Sequence, residues 1–487
     1  MNRHYLHVEF DKQRGLQEQL RESLMDAILA GVFPANEPLP SCRQLAAQLN
    51  VSRNTTALVF EGLVHEGYLV SRPRSGYFLH PDYQQRDYLA PPDAPEDRVN
   101  APQWNNRLKM TPSEASAILK PARWMNYRYP FIYGQPDTRQ FPVSQWRATS
   151  NWLNSGMRDQ CWVVDHVDQD VPMLIEQIRT RVLPKRGIVA GPDEILITLG
   201  SQNALYLLTR LLLSTESRVG VENPGFREAI NTFMLNEVDI VPHAVDEQGI
   251  VIDESQRCDY YYVTPGHQVP TGVTLSPSRR TQLLRHAVQQ DAVIIEDDYD
   301  SESNFTRNPP PALKASDRNG RVIYISSLSK ALSPGLRLGF MVADPELIDE
   351  ARALRRLMYR HPPANIQYQM AHFLAQGYYE THLRRYHDDS ARRWESLREA
   401  LNRYLPECQT IAGSEHANAF WLQTPAKINT QNLTWRAAHA GVLIEPGARH
   451  FLDDVPPENF FRMGFHAIAP ENIAPGVETL MAQLQQM

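Results

Sequence analysis

Four cysteines in 487 residues, Cys42, Cys161, Cys258 and Cys408, are too few and too far apart to frame disulfides or a paired-ligand zinc site. That usage fits a reducing cytoplasm, and no metal is expected. No apolar run approaches the roughly 20 residues needed to span a bilayer. The start, Met1-Asn2-Arg3-His4-Tyr5, leads into a charged segment without the apolar core of a signal peptide. Internal repeats are absent as well. So is an excess of positive charge: the formal net charge is −7, and any nucleic-acid partner must meet a local basic surface. What remains, 42% hydrophobic and 22% charged, is an ordinary soluble chain long enough for two or three domains.

Composition divides it. Residues 1–81 form one unit. Residues 82–112 carry Ala90-Pro91-Pro92-Asp93-Ala94-Pro95-Glu96-Asp97 and no sustained apolar period, so they read as an extended, semi-stiff linker. From 113 to 487, apolar strands alternate with helical segments, the pattern of an α/β domain with a mainly parallel sheet. The part after about Pro345 is richer in long polar helices. With strand-like pieces at Ala419–Leu422 and Val442–Ile444, it reads as a smaller C-terminal α+β subdomain.

In the first unit, Leu16, Leu20, Leu24, Ile28 and Leu29 make a helical stripe closed by Gly31. Pro40-Ser41 caps a short helix, Asn50-Val51-Ser52 makes a turn, and Arg53–His65 is a further helix with Ala57, Phe60, Leu63 and Val64 inward. This is a helix-turn-helix pattern, and its last helix starts with polar Arg53-Asn54-Thr55, suited to a major groove. Tyr68–Val70 and Tyr77–Leu79 then flank a hairpin tip holding Arg72 and Arg74, a wing able to reach phosphate.

In the large unit, the β-branched run Val322–Ile325 precedes Ser326-Ser327-Leu328-Ser329-Lys330, with Arg337 seven residues beyond the lysine. A lysine amine can form a Schiff base with an aldehyde, and hydroxyls with an arginine can hold a phosphate, the two needs of pyridoxal phosphate (PLP). Ile195–Leu199 ends in Gly200-Ser201-Gln202 and an apolar helix, a turn whose free N–H groups suit an anion. Phe226 follows a strand and can stack on a flat ring. Ala292–Ile295 runs into Glu296-Asp297-Asp298-Tyr299-Asp300, where a carboxylate can keep a pyridine nitrogen protonated. Asp297 and Tyr299 share a face of an extended strand, which favours Asp297 over Asp298 as that partner.

These segments carry two resemblances. Leu39-Pro40-Ser41-Cys42-Arg43, Val51-Ser52-Arg53-Asn54-Thr55 and Glu66-Gly67-Tyr68 resemble the winged helix of GntR-type bacterial regulators. That likeness implies DNA contacts from Arg43, Arg53, Asn54, Thr55, Arg72 and Arg74. The order phosphate turn, aromatic, Asp/Tyr, Ser-x-Ser-Lys, Arg resembles fold-type I aminotransferases, whose N-terminal substrate segment Tyr133-Gly134-Gln135-Pro136-Asp137 also resembles. The likeness implies Lys330 as the Schiff-base residue and Ser201, Gln202, Ser327 and Arg337 on the phosphate. It further implies that Phe226 stacks, that Asp297 meets the pyridine nitrogen and that Tyr299 meets the phenolate. Phe461-Arg462-Met463-Gly464-Phe465 resembles the family's arginine motif, which implies that Arg462 clamps an effector's acid group.

The two modules together resemble the MocR/GabR subfamily. That resemblance implies a cytoplasmic regulator that binds operator DNA as a head-to-tail homodimer. It would sense a small amine or amino acid by external aldimine formation at Lys330. A working aminotransferase that carries a DNA-binding domain is the alternative. One stretch departs from the family: Asp165–Pro172 lacks the usual tyrosine and glycines, so no partner-subunit phosphate contact is expected there.

Overall fold

A computed structural model describes residues 10–11, 14–29, 33, 37–81, 102–115, 120–121, 123–155, 160–165, 168–305, 309–410 and 417–487. Gly31, His166, Val167 and linker residues 82–101 lie outside these. The chain forms two compact units, Met1–Leu108 and Lys109–Met487.

The first unit is three helices and a hairpin: α1 (Leu16–Leu29), α2 (Cys42–Leu49), α3 (Arg53–His65), β1 (Leu69–Arg72) and β2 (Gly76–Leu79). Ser41 starts α2 with a capping box, its Oγ accepting the Gln44 N–H and the Gln44 side chain accepting the Ser41 N–H. Asn50 ends α2 in the left-handed region at φ 54°, which sets the turn into α3. Thr56, Val59, Phe60 and Leu63 are the buried stripe of α3, packed on Leu20, Leu24 and Leu45. The expected inward positions Ala57 and Val64 are only half-buried: the i, i+3, i+4, i+7 series starts one residue earlier, at Thr56. β1 and β2 pair antiparallel from Leu69–Leu79 to Arg72–Gly76, the expected wing.

The second unit is built on an eight-stranded sheet. Its strands are β4 (Ile195–Thr198), β5 (Arg218–Asn223), β6 (Asp239–Asp246), β7 (Gly249–Ile250), β8 (Tyr260–Val263), β9 (Val293–Asp298), β10 (Val322–Ser327) and β11 (Gly339–Val342). A short β3 (Tyr129–Pro130) precedes them. The order is β4-β11-β10-β9-β8-β5-β6-β7. β10, β9, β8, β5 and β6 run parallel, and β11 is antiparallel to both neighbours. β4, β9, β10 and β11 are buried along nearly their whole length; β4 and β11 read as apolar runs, while β9 and β10 begin apolar and end in Glu296-Asp297-Asp298 and Ser326-Ser327. The parallel arrangement brings several strand ends to one edge, where α/β sheets bind ligands.

Beyond the sheet come β12 (Gln409–Thr410), β13 (Ala419–Gln423), β14 (Val442–Leu443), β15 (Glu445–Pro446) and β16 (Phe460–Gly464). β12-β13-β16-β15 form a small antiparallel sheet. One boundary differs from the sequence reading. The helix Pro345–Tyr359 packs Ile348 and Ala351 on Leu196 and Leu205, so it belongs to the large sheet's layer. The expected strand Val442–Ile444 is present as β14, which pairs in parallel with β3, and the next strand, β15, joins β16.

Buried charge stiffens the sheet edge. Arg186 Nε lies 2.7 Å from Asp298 Oδ2, with the side chains 7% and 1% exposed. The Tyr324 hydroxyl donates to the same oxygen at 2.8 Å. Removing the cation strands a buried carboxylate, so Arg186→Ala should destabilise this unit by about 3–5 kcal/mol. Chemical unfolding followed by tryptophan fluorescence reads this; an unchanged midpoint would contradict it.

Candidate functional site

At the C-terminal ends of β4 and β10, and just past β5 and β9, lies a cavity of about 250 Å³ connected to solvent. Ser201, Gln202, Phe226, Tyr299, Ser327, Lys330, Arg337 and Arg462 all line it, eight of the nine side chains predicted for cofactor or effector. The ninth, Asp297, is buried and not in the lining.

The lysine end is desolvated. Burial lowers Lys330 to about 7, with Asp300 opposing and Arg462 and Lys120 adding to the shift. Much of it is therefore neutral amine near pH 7, the form that condenses with an aldehyde. Lys330 Nζ donates to the Tyr133 hydroxyl at 2.8 Å. It also lies 4.2 Å and 4.0 Å from the centroids of the Tyr133 and Tyr299 rings.

Asp297 accepts the Tyr262 hydroxyl on Oδ2 at 2.8 Å, while its Oδ1 is buried with no partner. An orphaned buried carboxylate oxygen is costly unless a ligand donor reaches it. Burial also raises Asp297 to about 7. Asp298 faces Arg186 instead, which agrees with the alternation that singled out Asp297. Tyr299 donates to the His267 carbonyl at 3.1 Å.

The turn after β4 forms a cradle. Gly200, at φ 83°, begins the helix Ser201–Leu212, whose first N–H groups have no partner within the helix. A Cβ there would meet Arg337 Nη2 at 3.3 Å in a conformation only glycine adopts freely. Arg337 donates to the Leu199 carbonyl at 3.0 Å and closes the turn from the other side. Glycine turn, helix N-terminus, hydroxyls and guanidinium fit a phosphate.

At the opposite end, Arg462 is 5% exposed, and its guanidinium lies 3.6 Å from the Tyr133 ring centroid. Its Nη1 lies 3.7 Å from Glu445 Oε1, and its buried Nε has no partner. Glu445 also holds His450 Nε2 at 2.9 Å. Burial would push Glu445 up, but the His450 bond and the Arg462 charge outweigh it and hold it at about 2. Asp300 is likewise held at about 2, its burial outweighed by His267 at 3.2 Å, by Lys330 and by Asn418 at 2.7 Å.

Tyr133, Lys120, Glu445 and His450 were not among the expected site residues. Tyr133 had a signal in the segment Tyr133–Asp137; the other three had none, since Lys120 precedes β3, Glu445 lies in the short β15 and His450 ends a 3-10 turn. Among the described residues, no group of three or more His, Cys, Asp or Glu is placed to hold a metal ion, and no helix is long and apolar enough to cross a membrane.

In the first unit, Arg43, Arg53, Asn54, Arg72 and Arg74 are exposed. Arg53 and Asn54 open α3. Thr55 is half-buried and serves the helix: the Ser52 side chain accepts its N–H at 3.0 Å, and the two hydroxyls are 2.8 Å apart. The Arg72 guanidinium lies 4.4 Å from the Phe78 ring centroid, and Arg74 sits at the wing tip with φ 62°.

Comparison with known proteins matches both units. Residues 16–79 match the family described as bacterial regulatory proteins, gntR family, and residues 168–480 match aminotransferase class I and II. The chain is 35% identical to the HTH-type transcriptional regulator TauR of Rhodobacter capsulatus, over 97% of each chain. It is 30% identical to the probable rhizopine catabolism regulatory protein MocR of Rhizobium meliloti, over 97% of this chain and 94% of that one. Kynurenine aminotransferase of Pyrococcus horikoshii, solved with PMP, superposes with TM-score 0.71 at 25% identity, over 78% of this chain and 98% of that one. LysN, the α-aminoadipate aminotransferase of Thermus thermophilus, solved with N-(5'-phosphopyridoxyl)-L-leucine, gives TM-score 0.70 at 25% identity, over 79% and 98%.

Proposed function

The chain belongs to the MocR-type transcription regulators, in which a GntR helix-turn-helix domain is fused to a class I and II aminotransferase domain, and from that premise we propose that a small amino acid or related amine in the Lys330 cavity sets its affinity for operator DNA. The observation that carries this reading is the position of Tyr133. Its hydroxyl meets Lys330 while its ring lies under Arg462, so an amine-reactive group and an acid clamp flank one side chain. A ligand with a primary amine at one end and an anion at the other fits between them.

PLP, when bound, supplies an aldehyde that condenses reversibly with primary amines and a ring that withdraws electrons. The residues present fit it. The Gly200 turn, Ser201, Gln202, Ser327 and Arg337 would hold the phosphate. Asp297 Oδ1 would accept the pyridine N–H, Phe226 would cover a ring face, and Tyr299 would bond the phenolate. Lys330 would tether the group through its amine, and Arg462 would orient the ligand's anion with its planar fork.

Occupancy changes operator affinity only if the ligand binds two arrangements of the protein unequally. A head-to-tail homodimer would carry two winged helices to two half-sites. Arg43, Arg53, Asn54, Arg72 and Arg74 supply the local positive surface that a chain of net charge −7 needs. The protein would act in the cytoplasm, where bacterial DNA is.

Turnover is the second reading, favoured by the neutral Lys330 amine, which can carry a proton. Incubation of the PLP-loaded protein with candidate amines, read by visible absorption and by keto-acid assay, separates the two. A lasting spectral change with little keto acid is expected. Steady keto-acid release, with operator affinity unmoved, would replace sensing by catalysis.

A further inference from the structure

Lys120 enters the same cavity from a segment that precedes β3. Its Nζ donates to the Tyr133 backbone carbonyl. An ammonium has three donors, so two remain. Among the described residues it forms no ion pair. Glu228 lines the cavity but is not bonded to it, and Glu445 is already shared by His450 and Arg462.

Lys120 and Arg462 thus hold the same residue from two sides. One bonds the Tyr133 carbonyl and the other covers the Tyr133 ring. Arg462 keeps a buried Nε without a partner. Two half-satisfied cations in one partly desolvated cavity are costly unless an anion joins them. Burial already pushes the Lys120 ammonium down, Glu445 and Glu228 opposing and the Arg462 charge adding to it. Lys120 also lies beside the reactive lysine. A Cβ on Gly134 would be 3.6 Å from Lys120 Nζ and 3.9 Å from Lys330 Cε.

We propose that Lys120 is a second cationic contact for the ligand's anionic end, so that the cavity selects amino compounds bearing a carboxylate or sulfonate over simple amines. This rests on the reading of the Lys330 cavity as the effector site. Lys120 adds a compact point charge to the flat fork of Arg462, which together hold an anion from two directions. It is a specificity residue, and the PLP tether does not need it.

The test uses the full-length PLP-loaded protein and its Lys120→Gln and Lys120→Arg variants. Sodium acetate and sodium methanesulfonate, which have no amine, are titrated at constant ionic strength while the visible band is followed. Either anion, bound beside Lys330, shifts the band in the wild type. Lys120→Gln should weaken that binding about tenfold or more, and Lys120→Arg should retain most of it. 4-Aminobutyrate and 2-aminoethanesulfonate should lose affinity in Lys120→Gln relative to propylamine, which is measured with each protein as the reference because the Lys120 charge also bears on the Lys330 amine. Equal anion affinity in wild type and Lys120→Gln, or no anion effect in the wild type, overturns the proposal. A variant that loses PLP but not anion sensitivity also overturns it, placing Lys120 on the cofactor instead. If anions shift the band while amino acids leave it and operator affinity unchanged, the anion contact stands and the effector reading fails.

Discussion

Lys330→Ala should remove the Schiff-base absorption band of the PLP-loaded protein completely, leaving at most the absorption of unreacted PLP, while the variant still binds operator DNA within a few-fold of the ligand-free wild type. The loss is total because the cavity offers only one amine with both the position and the desolvation. Lys330 sits directly after β10, its amine on the Tyr133 hydroxyl and its pKa brought to about 7. Lys120, the other lysine in the cavity, is bonded to the Tyr133 carbonyl and comes from outside the strand ends. The alanine leaves Asp297 Oδ1, the Gly200 turn and Arg337 in place, so non-covalent PLP binding should persist in weakened form. DNA binding should persist because the arginines proposed to contact DNA belong to a unit with its own core of Leu20, Leu24, Phe60 and Leu63. A band that survives would move the tether to another lysine. Lost DNA binding in a folded variant would show that the two units do not work as separable modules.

Arg53→Ala should weaken operator binding by about 10- to 100-fold without changing PLP content. Arg53 is the first residue of α3, exposed, beside exposed Asn54. Ser52 caps the helix, so the alanine keeps the helix start and the buried stripe of Thr56, Val59, Phe60 and Leu63. The loss is therefore one of contact and not of fold. Its salt dependence tells which contact. A phosphate contact lowers the slope of affinity against salt by about one, and a base contact relaxes preference at one position of the operator. Unchanged affinity on the selected operator would put the recognition surface elsewhere on the first unit.

The parts of the site that follow directly on a strand were legible in the sequence. A buried parallel strand is a continuous apolar run, and the residues just past it are fixed by the sheet edge. That is why Gly200, Tyr299 and Lys330 could be placed by reading forward from Ile195, Val293 and Val322. The choice of Asp297 over Asp298 followed from a period of two, and the Asp298–Arg186 pair on the other face agrees with it. Lys120, Glu445 and His450 were not legible. Their meeting with Arg462 depends on tertiary packing of distant segments, and nothing within a few residues of each marks it. The strand at Val442–Leu443 was legible as an apolar run, but its partner was not. It pairs with β3, from the start of the unit, and sequence alone does not reveal so distant a pairing. In the first unit, the turn at Asn50 and the polar start of α3 were legible because capping is local. The one-residue shift of the inward stripe was not, since Ala57 and Thr56 are both acceptable on a helix face.

The central claim is that occupancy of the Lys330 cavity changes affinity for DNA. An operator is first selected from a random DNA pool with the PLP-loaded protein. Its dissociation constant is then measured by fluorescence anisotropy with and without saturating 4-aminobutyrate or 2-aminoethanesulfonate, in wild type and in Lys330→Ala. At least one of these compounds should change wild-type affinity about fivefold or more, with no change in Lys330→Ala, as expected of coupling worth about 1 kcal/mol or more. Identical operator affinity with and without a compound that demonstrably alters the visible band would contradict the account.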